Sequence, residues 1–366
     1  MPTDAQLAMP SNLPQSLAEQ LAQHFPLHLQ QQLQQRLQQC LQQWPHWQAV
    51  LDTPPQLISC LGSGLSHYNF RVRSGTQDFV VRLESATSRQ LAMSSSDERY
   101  WLAACVNFAP AVVWFDHDVL VTQYLYLPHW QAPDLLPLIG KTLAQLHQLT
   151  IPKASVIQTS AAVQTTGPAP LDLIAHTERY WQQLQKLQST DQYTIQQVNP
   201  QDQRLHRYMR EHITQTLQQF SKRCLCHNDL HASNILLDEQ RCIFLDWEYA
   251  AINAPGFDLA SLAESASLTA EQLQLLVDHY QPDAEQQPAL LAEIACYRPI
   301  VRYLEWLWLS LRERCDDSSE LITNSSELIT DNSELITDSS EQAARKHAWS
   351  RLRDLLSAKG AGNLFN

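Results

Sequence analysis

The sequence predicts an α+β chain in two unequal parts, a small antiparallel sheet with one helix followed by a larger, mainly helical part. Three observations predict it. Between residues 56 and 123, short apolar runs alternate with polar residues as in strands, interrupted once by helical spacing. After Pro128 the apolar residues recur at helical spacing. Within that helical part, residues 226–250 return to short apolar runs with His, Asp, Asn and Glu between them.

The elements follow in order. Residues 15–43 are Gln-rich, and Leu29, Leu33, Leu37 and Leu41 form one apolar stripe of a helix that ends before Pro45. Such a stripe packs by default on its own chain. Gln56–Leu61, Tyr68–Arg73 and Asp78–Leu83 read as three strands joined by Gly-containing turns, Ser96–Phe108 as a helix, and Ala111–Phe115 and Val119–Gln123 as two further strands. Tyr124-Leu125-Tyr126-Leu127-Pro128 reads as a hinge. Helices are expected near 133–149, 171–188, 203–220, 257–267, 270–280, 289–314 and 341–358, with a loop over 150–170. The division expected is a helical N-terminal extension (1–55), a small lobe (56–123), a hinge (124–128) and a helical lobe (129–366).

Asp317–Thr323 (DSSELIT), Asn324–Thr330 (NSSELIT) and Asp331–Thr337 (DNSELIT) are tandem copies, with a decayed fourth from Asp338. Each copy is dominated by Ser, Thr, Asn and Asp, which are poor helix formers. Residues 317–340 therefore read as a duplicated loop insertion without a catalytic role.

Composition excludes several classes. A formal net charge of -13 argues against a nucleic-acid partner, which requires a basic face. No apolar run is long enough to span a membrane, and residues 1–30 lack the basic and apolar regions of a signal peptide. The eight cysteines form no CxxC pair and read as reduced thiols of a cytoplasmic protein. Cys224-Leu225-Cys226-His227 has metal-ligand residue types, but with no matching set elsewhere strand packing is the better reading.

The chemistry concentrates in residues 226–250. His227, Asp229 and Asn234 occupy positions 0, 2 and 7 of one loop, and Asp246 follows Asn234 by twelve residues. Ile235–Asp238 and Cys242–Leu245 read as a tight hairpin, which brings Asn234 and Asp246 together at its open end. An amide oxygen and a carboxylate suit Mg²⁺, which takes oxygen ligands and leaves other positions to phosphate and water. Asp229, in the preceding loop, is placed to accept a proton from an attacking hydroxyl. This is the H-x-D-x-x-x-x-N and metal-Asp layout of kinase-type phosphoryl transfer, with Asp246-Trp247-Glu248 where protein kinases have Asp-Phe-Gly.

On these residues the chain resembles the aminoglycoside phosphotransferase and choline kinase superfamily, and within it bacterial thiamine kinases and choline kinase-like enzymes. HNDLHASNIL and FLDWEYAAINAPGFDLASL are similar to that family's two motifs, and GSGLSHYNFRV with FVVRL resembles its phosphate loop and third strand. The resemblance covers about residues 56–314 and implies a bilobal protein-kinase-like fold that uses ATP and Mg²⁺. It implies Asp229 as general base or hydroxyl-orienting residue, and Asn234 and Asp246 as Mg²⁺ ligands. Glu248 is then an accessory ligand or a substrate-facing carboxylate, Asp258 a brace of the catalytic loop, and His227 a support for it. Arg82 stands at the third-strand cation position, with Glu98 as the partner that holds it. Gly64 and Ser66 belong to the phosphate turn; the third glycine of the protein-kinase pattern is absent, since His67 stands there, and an ordinary hairpin turn is the alternative. Tyr124 and Leu125 offer hinge backbone to adenine.

The acceptor implied is a small alcohol, cationic as thiamine, choline and ethanolamine are. Tyr297, Tyr303, Glu305, Trp306 and Trp308 resemble the region lining the acceptor site in choline kinases, although aromatic residues at helical spacing are more often core. An aminoglycoside acceptor also suits the acidic charge. Two other classes compete: a metal-dependent hydrolase built on His227, Asp229 and His231, and a non-catalytic nucleotide-binding protein. The first leaves Asn234, Asp246 and Arg82 without a role, and the second does not need the complete set of Asp229, Asn234 and Asp246.

Overall fold

The computed structural model describes residues 21–22, 25, 27–63, 67–85, 95–116, 119–131, 133–150, 170–189, 199–323 and 335–365. The chain divides into two compact units, residues 1–95 with 110–126, and residues 96–109 with 127–366.

The first unit is built on one five-stranded antiparallel sheet of order β1-β2-β3-β5-β4: β1 (Gln56–Ser63), β2 (His67–Ser74), β3 (Gln77–Glu84), β4 (Val112–Asp116) and β5 (Val119–Gln123). β2 and β3 pair from His67↔Glu84 to Ser74↔Gln77. Their two-residue turn begins with Gly75 at φ 58°, a left-handed conformation that a side chain would oppose. The alternation along β2 and β3 gives the sheet two unlike faces. Phe70, Val72, Phe79, Val81 and Leu83 are buried in a core with Leu33, Leu37, Cys40 and Leu41 of helix α1 (Leu27–Gln42). The leucine stripe thus packs on its own sheet, and Arg36 caps the contact by donating to the Glu84 carbonyl oxygen at 2.8 Å. The other face carries Asn69, Arg71 and Arg73 from β2 and Asp78, Val80 and Arg82 from β3, because residues two apart share a face.

The second unit is mainly helical: α2 (Ser95–Ala104), α3 (Leu136–Leu146), α4 (Leu173–Ser189), α5 (Pro200–Gln219), α6 (Pro255–Ser265), α7 (Ala270–Tyr280), α8 (Gln287–Thr323) and α9 (Leu335–Ala358). Two short antiparallel pairs interrupt the helices: β6 (Cys224–Cys226) with β9 (Ala251–Asn253), and β7 (Ile235–Leu237) with β8 (Cys242–Phe244). Phe244 N–H donates to the Phe108 carbonyl at 2.7 Å, and Leu237 N–H to that of Pro128 at 3.0 Å, so this hairpin is tied to the segments on either side. The loop expected over 150–170 falls almost wholly outside the described residues.

One expectation changes. The first heptad copy, expected as loop, lies in the last turns of α8. Extending an existing helix adds a hydrogen bond for each residue ordered, whereas starting one does not, so poor helix formers can still prolong it. Residues 324–334 of the later copies lie outside the described residues, and the helix resumes at Leu335.

Candidate active site

The loop from Cys226 to Asn234 is held from below by one carboxylate. Asp258, in the first turn of α6 and wholly buried, accepts the backbone N–H of His227 through Oδ2 and that of Asn228 through Oδ1, both at 2.7 Å. His147 Nε2 lies 3.1 Å from the same Oδ2, and its Nδ1 is 2.9 Å from the Tyr280 hydroxyl. Two N–H groups and a buried anion thereby satisfy one another, which is why this Asp can lie on a buried helix. Gly256 is required beside it: a Cβ there would meet Glu293 Cγ at 2.6 Å.

His227 is fully buried, with Nε2 donating to the Leu245 carbonyl at 2.7 Å and Nδ1 accepting Asp229 N–H at 3.3 Å. Burial lowers its pKa, so it is a neutral prop between loop and hairpin. With both ring nitrogens committed it is unsuited to the hydrolase-type metal site. Asn228 takes φ 64°, and its carboxamide reaches the Tyr249 carbonyl at 3.0 Å and receives Asn253 Nδ2 on Oδ1 at 2.8 Å. Those bonds offset the cost of the left-handed backbone that turns the loop toward Asp229.

The Asp229 carboxylate is held on both oxygens. His231 Nε2 is 2.9 Å from Oδ1, and Asn234 Nδ2 donates to Oδ2 at 3.2 Å and to the Asp229 carbonyl at 3.0 Å. Burial would raise the Asp229 pKa, but the charge and hydrogen bond of His231, with His227 and Asn234, outweigh it and leave the pKa lowered. His231 is in turn raised to about 9, by the Asp229 charge first and, against burial, by its hydrogen bond and the charge of Glu305. The pair is therefore ionic at neutral pH. Because the Asn234 amide hydrogens are spent on Asp229, its remaining polar atom is Oδ1, the atom a hard cation takes.

Leu245 N–H donates to the Asn234 carbonyl at 2.8 Å, which fixes the start of one hairpin strand against the end of the other. Asp246 follows at φ 63°, an uncommon conformation for a residue other than glycine. Trp247 is buried and anchored by its indole N–H on the Phe244 carbonyl at 2.8 Å, so Asp246 and Glu248 leave the strand on either side of a fixed ring. One carboxylate oxygen from each lies within 4.8 Å of the other. An amide oxygen and two carboxylates are hard oxygen donors, and that donor set fits Mg²⁺.

The remaining candidates are dispersed. Arg82 is half-buried on the sheet face away from α1, and Glu98 is buried in α2 of the second unit. Tyr124 and Leu125 are half-buried just beyond β5. Gly64 and Ser66 lie outside the described residues. In α8, Tyr297 and Tyr303 are fully buried, the first against Phe257 and the second hydrogen-bonded through its hydroxyl to His206 Nδ1 at 2.7 Å. Trp306 is buried between Tyr303 and Trp349. Trp308 is half-buried beneath Arg312, and Glu305 accepts from Arg302 at 2.5 Å. Cys224 and Cys226 are buried on β6 with their sulfurs 3.6 Å apart.

Three participants were not singled out for these positions by sequence. His231 carried a signal, since it lies in the same loop two residues after Asp229, but it was read only as a possible metal ligand. Tyr249 and Tyr180 approach the site electrostatically: burial raises both phenol pKa values, and the charges of Glu248 and Asp229 push the same way. Tyr249 adjoins Glu248 and could have been found; Tyr180, from α4, had no local signal.

A family profile described as "Phosphotransferase enzyme family" matches residues 58–293, well over half of the chain. Among curated proteins, Protein LicA of Haemophilus influenzae is 34% identical over 93 residues, 24% of this chain and 35% of that protein. The chain thus spans about a third of the length of such curated relatives. Among solved structures, a choline/ethanolamine kinase family protein from Mesorhizobium loti has TM-score 0.58 at 18% identity, covering 86% of this chain and 92% of that one. Plasmodium vivax ethanolamine kinase has TM-score 0.59 at 16% identity, covering 95% of each. At these identities the likeness is one of fold: the protein has the α+β, protein-kinase-like architecture of these neighbours.

Proposed function

The chain belongs to the phosphotransferase enzyme family, and from that membership and the site's geometry we propose that it transfers the γ-phosphate of ATP to the hydroxyl of a small cationic alcohol of the choline, ethanolamine or thiamine type. The observation that carries the reading is the Asp229 carboxylate, clamped by His231 and Asn234 beside a hairpin that presents Asn234 Oδ1, Asp246 and Glu248.

In this reading Asn234 and Asp246, with Glu248 as accessory, hold Mg²⁺, which supplies positive charge against the phosphate oxygens. As the new O–P bond forms and the bond from the γ-phosphorus to the bridging oxygen breaks, ADP leaving with that oxygen, Asp229 orients the acceptor hydroxyl and accepts its proton. Its low pKa keeps it ionised for that role at neutral pH. His231 fixes the carboxylate rotamer, so less ordering is left for the moment of reaction. Asp258 and His227 hold the loop beneath them. Arg82, steadied by Glu98, takes ATP phosphate, as do the backbone amides around Gly64 and the Ser66 hydroxyl, while the backbone of Tyr124 and Leu125 takes adenine. Arg suits the phosphate task because its planar fork binds two oxygens at once.

The cationic character of the acceptor is supported by what faces Asp229. Glu248 and Asp229 act electrostatically on Tyr249 and the buried Tyr180, and Glu305 on His231, so aromatic rings and carboxylates lie in one another's field, the combination that attracts an ammonium group. Of the candidate aromatic residues in α8, Trp308 is the one left half-exposed to contribute. The test is ADP release from Mg-ATP across choline, ethanolamine, thiamine and an aminoglycoside. Acceptor-dependent turnover on a small amino alcohol or thiamine supports the reading; turnover on the aminoglycoside alone replaces the acceptor class, and nucleotide binding without turnover on any acceptor favours a binding protein.

A further inference from the structure

One buried carboxylate in the first unit has no part in the scheme so far. Asp78, at the start of β3, has a side chain with no exposure, and four donor groups converge on it. Arg71 Nε donates to Oδ2 at 2.6 Å, Arg73 Nε to Oδ1 at 2.6 Å and Arg73 Nη2 to Oδ2 at 3.0 Å, and the Tyr126 hydroxyl to Oδ2 at 2.7 Å. The backbone of the same residue is engaged too, its carbonyl accepting Tyr124 N–H at 3.0 Å. Arg71 completes the cluster, with its guanidinium 4.3 Å from the Tyr124 ring centroid and 5.2 Å from that of Tyr126.

The arrangement is costly for a purely structural turn. It buries an anion, and it fastens a residue that is 68% exposed, Tyr126, by its hydroxyl on Asp78 and by the Arg71 guanidinium over its ring. What it accomplishes is to bind residues 124–126 to β3 by main chain and side chain together. Pro128 already belongs to the second unit, where it accepts from Leu237, whereas Tyr124 to Tyr126 belong to the first. Asp78 and Arg82 share one face of β3 and stand four residues apart, about 13 Å along a strand. A single strand thereby sets both the backbone after β5 and the phosphate cation.

We propose that Asp78 is a positioning residue for the nucleotide: through Tyr126, Arg71 and its own carbonyl it holds the backbone of residues 124–126 in register with Arg82, so that base and phosphates are received by one rigid frame. The inference rests on the reading of that backbone as the adenine-binding segment. Arg73 has the same carboxylate as its partner, so the cluster carries a net positive charge beside the segment, and the Asp78 carboxyl stays ionised because hydrogen bonds from Arg73, Tyr126 and Arg71 outweigh burial.

The test compares wild type, Asp78→Asn and Tyr126→Phe in equilibrium binding of Mg-ATP, thermal melting without nucleotide, and initial rates with each substrate varied. Tyr126→Phe removes one hydroxyl from an exposed ring and serves if Asp78→Asn folds poorly. The expected result is ATP affinity about tenfold weaker in Asp78→Asn and about threefold weaker in Tyr126→Phe, the scale of lost hydrogen bonds. The loss falls on KM for ATP, not on KM for the acceptor. Wild-type ATP affinity in both variants would overturn the inference and leave the proposed function standing, as would an equal rise in both KM values. Failure of the wild-type protein to bind ATP would remove the proposed function and this inference with it.

Discussion

The loop from Cys226 to Asn234 and the aromatic stretch of α8 offered similar numbers of candidate residues, and the structure treats them differently. In the loop, hydrogen bonds gather His227 and Asn234 around two carboxylates, Asp258 beneath the loop and Asp229 within it. In α8, Tyr297, Tyr303 and Trp306 pack into the interior against Phe257, His206 and Trp349. The difference is one of cost. A carboxylate among apolar residues must be paired, so its presence in a sequence announces an arrangement built for it. An aromatic ring gains by burial, and its spacing along a helix announces a core.

The comparison can be broken by substitution, beginning with the largest effect. Asp229→Ala should reduce turnover about a thousandfold or more while Mg-ATP still binds, since a positioned base contributes on that scale; parallel loss of ATP affinity would move Asp229 out of the acceptor's half of the site. Asp258→Ala leaves two N–H groups without an acceptor and should cost about 3 kcal/mol or more in denaturant unfolding. An unchanged midpoint would show that the loop does not depend on it. Trp306→Ala should cost about 3–5 kcal/mol as a core truncation and leave acceptor KM unaltered. Intact stability with a raised acceptor KM would place that ring in the site and collapse the contrast. Glu305→Gln is the complementary change, expected to raise acceptor KM about threefold for a cationic acceptor, the worth of roughly one partly exposed charge contact.

The smallest effect concerns His231. Its pKa is raised in the fold, to about 9, so the stability it contributes through Asp229 is complete below its unfolded value and disappears as pH rises through about 9. Melting temperatures of wild type and His231→Gln, without nucleotide or metal, should differ most near pH 6 and converge above pH 9, by the same linkage. A gap that persists at high pH would mean that packing, not charge, holds the pair.

Much of the fold was legible because most of β2 and of β3 alternates between buried and half-exposed residues, β5 is a short apolar run, and the leucines of α1 recur every fourth residue. The hairpin between Asn234 and Asp246 was legible as two short apolar runs around a polar turn. The Asp78 cluster was not: Arg71, Arg73, Asp78 and Tyr126 are ordinary surface residue types, brought together only by the register of β2 on β3 and by the chain's return along β5. Tyr180 was hidden likewise, its approach to Asp229 depending on where α4 packs. The first heptad copy misled because side-chain propensity is a weak guide once a long helix is already running into it.

The most direct test of the account separates binding from transfer at the two ends of the hairpin. Mg²⁺-dependent ATP binding and single-turnover phosphate transfer would be measured in parallel for wild type, Asp229→Asn and Asp246→Asn. The account predicts that Asp246→Asn loses the Mg²⁺ dependence of binding, whereas Asp229→Asn binds Mg-ATP as wild type does and fails to transfer. Retained transfer in Asp229→Asn, or unaltered Mg²⁺ dependence in Asp246→Asn, would contradict it.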